Sequence, residues 1–185
     1  MSEIQKIYDQ LHDVKNAILS LYGEMEIIRD IIKDLNKQIA ANEAEQEKTR
    51  GLFQNHLQNK PQEPEKSDFP DKARYDAELA RYHKAFSTWS AERDRIEGLL
   101  KSLKAAIPIL KKKIEEKNER LRELEAEVER LKQDAKELME LAYTLAREAS
   151  PREKASIEAE IGSVRNNLVR EQQVSRETAT RIKKN

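Results

Sequence analysis

The residues whose types and spacing could do chemistry are few. Asp9, His12 and Asp13 fall on one face of a helical stretch, a spacing that could hold a metal through two carboxylates and one imidazole. His56 and His83 stand alone. There is no cysteine, and no Gly-rich phosphate loop, nucleophile elbow or His-Glu-x-x-His pair. Three ligands on an exposed helix face are a weak metal signal beside ordinary surface charge. The expectation is therefore no cofactor, no metal and no enzyme.

The remaining candidates are charges. Lys101, Lys104, Lys111, Lys112 and Lys113 gather around Pro108, and Arg165, Arg170, Arg176, Arg181, Lys183 and Lys184 enrich the C-terminal stretch. Of these, Lys104, Lys111, Lys112, Lys113, Arg176, Arg181, Lys183 and Lys184 form the candidate interaction surface. Basic clusters can hold anionic membrane or nucleic acid. A solvated face, balanced by Glu115, Glu116 and by Glu24, Glu26, Asp30 and Asp34, is the plainer reading. The formal charges, 35 basic and 35 acidic, cancel, which disfavours a dedicated polyanion binder.

The elements that carry these residues follow from composition and period. Charged residues reach 38%, against about 25% in ordinary domains, while Gly and Pro number only 4 and 5. Such a chain is either disordered or built of long helices, and periodicity decides for helices. Ile4, Ile7, Leu11, Val14, Ile18, Leu21, Met25, Ile28, Ile32, Leu35 and Ile39 step by three and four without a slip. That is a heptad stripe. Tyr8, Ala17, Tyr22 and Ile31 widen it, which points to bundles of more than two helices. Asn42, Gln46 and Thr49 then turn the stripe polar before Phe53. Ser2 and Gln5 have capping-box spacing at its start.

Pro61, Pro64 and Pro70 break the helix and predict an exposed loop over 58–71. A second stripe runs from Tyr75 through Tyr82, Phe86 and Trp89 to Leu145, keeping its phase across Pro108. The aromatic group at its start reads as core. Arg93 and Lys117 interrupt the seam and are expected to set its register at some cost in stability. Pro108 lies off the seam, and its flanks (Ala105, Ala106, Ile107, Ile109) offer no cap, so a kinked continuous helix is expected rather than a turn. Ser150, Pro151 and Glu153 mark a real boundary, after which the stripe restarts out of phase.

The expected divisions are a first coiled-coil helix (1–57), the Pro-rich loop (58–71), a long central helix kinked near Pro108 (72–149) and a C-terminal fold-back helix with a basic frayed tail (150–185). The fold class is all-α: an elongated antiparallel coiled-coil rod whose central helix is flanked by two fold-back helices. At about 1.5 Å per residue the three helices measure roughly 80, 115 and 50 Å. Folding the first helix back about the loop brings Ile4 opposite residue 125, and folding the last brings Ile182 opposite residue 119, so both termini are expected to meet near Asn118 to Glu125. A parallel dimer is the competing assembly, with Arg120 facing Glu125 and Glu127 facing Lys132 across the chains.

The function expected of such a chain is non-enzymatic: a structural or adaptor coiled coil that spaces or links partners in a larger cytoplasmic assembly. Its partners would be other protein subunits, including copies of itself. A membrane-surface or filament-forming helical-hairpin scaffold, or a nucleic-acid-associated coiled coil, is the alternative. The N-terminus lacks an apolar leader and no stretch approaches the roughly 18 apolar residues of a membrane span.

Overall fold

The computed structural model describes the backbone of residues 2–148 and 151–184, and the side chains among these as far as Ser175. It is all-helical, with α1 at Glu3–Gln58, α2 at Lys72–Arg147 and α3 at Pro151–Lys184. A 3-10 turn, Lys66–Asp68, lies between α1 and α2. Pro108 sits inside α2 and is exposed, so no turn interrupts the stripe there. Ser2 caps α1 by accepting from the Gln5 backbone N–H at 3.2 Å, but the reciprocal half of the box is not made. The Gln5 side chain donates instead to Asp9 at 3.1 Å. Asp71 caps α2 by accepting from the Ala73 N–H at 3.0 Å. The expected cap of α3, Ser150, lies outside the described residues.

The chain divides into two compact units. The first joins Met1–Leu35 to Lys113–Asn185 and holds parts of all three helices. α1 and α2 run antiparallel in it: Arg120 meets Glu24, while Ile4 and Tyr8 lie with Leu145 beside one hollow. α3 runs parallel to α1, since His12 meets Glu160 and Arg29 meets Ser175. The core is drawn from all three helices, with Leu11, Ile18, Leu124, Ile157, Ile161 and Val164 at no more than 1% exposure. Each such side chain contributes about 1.5–3 kcal/mol by leaving water. The widened stripe is explained here, because a helix that faces two neighbours needs flank positions as well as seam positions. Tyr22 is buried and Tyr8 half-buried, whereas Ala17 and Ile31 are exposed.

The first unit corrects the expected register. Ile4 lies against Leu145 and Ile157, not beside residue 125. Ser175 does lie with Glu125 and Arg29. Ser2 and Ser175 therefore stand at opposite ends of this unit, and the described chain ends do not meet. α1 and α3 share one stretch of α2 rather than covering separate lengths of it.

The second unit, Asn36–Lys112, is a two-helix pairing of α1 and α2. His56 meets Trp89, and Asn42 meets Leu103. The reason for the register error lies here. The segment after α1 is not a simple reversal at a tip. Lys60 sits over the rings of Phe86 and Trp89, at 5.9 and 5.7 Å, and Phe69 packs on Tyr75 at 6.0 Å. The segment thus runs back along the first turns of α2, which extend beyond Gln58. Pro61, Pro64 and Phe69 are half-buried and its other residues are exposed. Tyr75 and Phe86, in these first turns, are covered by this strap.

Candidate interaction surfaces

Of the basic cluster around Pro108, Lys101, Lys104, Lys111 and Lys112 belong to the second unit and Lys113 to the first. At about 100° per residue, Lys101, Lys104, Pro108, Lys111 and Lys112 share one side of α2, and Lys113 projects from the other. All five lysines are exposed. Lys104 lines a shallow hollow with Ile107 and with Glu43, Gln46, Glu47 and Arg50 of α1. The acidic neighbours of Lys104 are thus Glu43 and Glu47, not Glu24, Glu26, Asp30 or Asp34. This follows from the same register shift: Glu24 belongs to Arg120, at 3.2 Å. Arg176, Arg181, Lys183 and Lys184 have side chains outside the described residues.

The two residues expected to set register behave differently. Arg93 is half-buried and stacks its guanidinium 5.2 Å from the centroid of Trp89. It also donates to Ser90 Oγ at 3.0 Å and meets Asp94 at 3.3 Å. Lys117 is half-buried, and no ion pair among the described residues includes it. The parallel-dimer residues are engaged within the chain. Arg120 contacts Glu24 and Glu123, and Lys132 lies beside Glu129 and over the Tyr22 ring.

Three polar contacts escaped the sequence reading. The first is a reciprocal clasp in the second unit. His56 Nε2 and the Trp89 carbonyl are 2.7 Å apart, and Trp89 Nε1 donates to the His56 carbonyl at 2.7 Å. Because the Trp89 carbonyl can only accept, the His56 proton belongs on Nε2. The two rings stack at 5.1 Å with 9° between planes. The second is a ladder on α1. Arg50 donates to Gln46, Gln46 to Asn42 at 2.6 Å, and Asn42 to the Leu103 carbonyl on α2 at 2.9 Å. That carbonyl neighbours Lys104, whose own carbonyl loses its helical donor to Pro108. A seam asparagine that bonds across the interface admits few alternative registers. Asn42 was visible as a break in the apolar stripe, and its cross-helix partner was not.

The third is a buried arginine in the first unit. Arg29 is 5% exposed and donates to both the carbonyl and the hydroxyl of Ser175. Burial lowers its pKa, opposed by Glu26 and Glu125. His12 is likewise committed, to Glu160 at 2.5 Å, rather than joined with Asp9 and Asp13 in a metal set. Beside it the Tyr8 hydroxyl is buried without a partner, and burial with the Glu160 charge raises its pKa.

No family model, curated protein or solved structure matches this chain. No helix among the described residues is long and apolar enough to cross a membrane.

Proposed function

We propose that this protein is a non-enzymatic structural or adaptor element, which links or spaces other protein subunits of a cytoplasmic assembly through helix–helix contacts. One observation supports the reading above others. The three-helix core is filled from within the chain and the two-helix seam is paired within it, yet large apolar side chains remain on the outer faces of the helices. Ile27 is 63% exposed, Ile109 60% and Val169 59%. Such positions suit further helices. The elongated coiled-coil rod that the heptads imply, and a bend at Pro108, belong to the same proposal. Small-angle scattering from a compact particle would remove both.

The alternative, a scaffold on anionic membrane or nucleic acid, draws on the exposed Lys101, Lys104, Lys111 and Lys112 on one side of α2. Co-sedimentation with anionic liposomes and with duplex DNA at low and moderate salt separates the two. The adaptor reading expects neither to carry the protein down. Salt-sensitive binding of either one would replace it.

A further inference from the structure

We infer that the first unit carries both halves of a self-association contact. The exposed acidic–apolar face of α1 in one copy docks into a basic-rimmed apolar groove between α2 and α3 of another. This deepens the proposed function, since it names one partner of the adaptor as a second copy of the chain.

The projecting half is on α1. At about 100° per residue, Glu24, Ile31, Ile27 and Asp30 follow one another around the helix, so a carboxylate stands on each side of two isoleucines; Glu24 is also paired with Arg120 of α2 at 3.2 Å, whereas Asp30 is in no ion pair among the described residues. All four are exposed. Lys15, Arg29 and Lys33, the basic residues of this stretch, lie on another side of α1. Ile27 and Ile31 are one turn apart, the spacing with which a helix presents anchors to a groove.

The receiving half lies between α2 and α3. Val169 and Tyr143 expose apolar surface there, over the buried Ala135, Met139 and Leu168, and Lys136 and Arg165 are among its lining. Lys132 adds a further cation, while Glu140 is the acidic residue among the lining. The chain as a whole is neutral. Within the chain Glu24 is paired with Arg120 and Lys132 with Glu129, which leaves Asp30 beside the isoleucines and Lys136 and Arg165 beside the groove. That segregation favours another copy as occupant, because each surface meets opposite charge and apolar area on its counterpart. The two surfaces are different patches, so the contact is heterologous. It leaves one free patch at each end of a dimer and extends to a ring or a filament.

Sedimentation velocity across a concentration series tests this with two variants, Ile27→Lys and Val169→Glu. Both sites are exposed, and circular dichroism checks that helix content is kept. Wild type is expected to grow in mass with concentration beyond a dimer. Each variant alone should associate at least about tenfold more weakly, the loss expected when a buried aliphatic anchor becomes charged. Mixed in equal amounts they should form a one-to-one dimer that grows no further, since one intact α1 face and one intact groove remain. If Val169→Glu loses helix content, Lys136→Glu takes its place in the same mixing. A monomeric wild type, a variant that assembles like wild type, or a mixture that stays monomeric would overturn the inference. Any of these leaves adaptor binding to other subunits standing, whereas the co-sedimentation outcomes bear on that reading alone.

Discussion

The two units use the same heptad pattern to different effect. In the three-helix unit, seam positions of α1, α2 and α3 are driven to complete burial, as at Leu11, Leu124 and Ile161. In the two-helix unit, Leu100, Leu103, Ile107 and Leu110 are only half-buried, although Trp89 and Ile96 reach 7% and 4% exposure. A third helix closes the side of a seam that two helices leave open to water. The two-helix unit relies instead on directional contacts: the His56–Trp89 clasp and the Asn42–Leu103 bond. Apolar periodicity alone therefore does not determine how much a seam residue contributes.

Large-to-small substitution should expose that difference most strongly. Leu124→Ala is expected to cost about 3–5 kcal/mol, as in well-packed cores. Leu103→Ala should cost less than half as much, roughly in proportion to the area it buries. Equilibrium denaturation of both variants checks the ordering, and equal losses would break the comparison. Trp89→Ala should be the exception within the two-helix unit, at about 3 kcal/mol, because it removes the ring stack and the indole N–H bond to the His56 carbonyl, while the backbone carbonyl that accepts from His56 remains. His56→Ala should be milder, about 1–2 kcal/mol, since the Trp89 ring remains.

How far these features were legible in the sequence varies with their physical cause. The helices themselves were legible, because a stripe that alternates three and four cannot lie on any other element. The passage of α2 through Pro108 was legible from the absence of caps at Ala105, Ala106 and Ile109. The register was not. It depends on where the Pro-rich segment travels, and neither Lys60 over Trp89 nor Phe69 on Tyr75 has a periodic signature. The three-helix sharing was half legible: Tyr8 and Tyr22 widened the stripe, but a stripe says that a face is buried and not against what. Arg29 with Ser175, and His56 with the Trp89 carbonyl, join residues far apart in sequence, partly through backbone groups that any residue carries.

Two smaller effects sharpen the comparison. Lys117→Leu should raise stability by about 1 kcal/mol, through removal of a half-buried cation from the seam. A loss in thermal denaturation would assign Lys117 a supporting role. Tyr8→Phe should change stability by no more than about 0.5 kcal/mol at neutral pH, because its hydroxyl makes no bond to lose. Its pKa is raised in the folded state, so wild type keeps the associated stability below the ordinary tyrosine value of 10.0 and loses it as pH rises through the higher folded value. Tyr8→Phe should therefore flatten the alkaline limb of the stability curve, read by pH titration of the melting temperature.

Hydrogen exchange resolved along the chain tests the central contrast most directly. The slowest amides are expected around Leu11, Ile18, Leu124 and Ile161, where three helices share one core, and faster exchange across Leu100 to Leu110. Uniform protection along α2, or faster exchange at Ile161 than at Leu103, would contradict it.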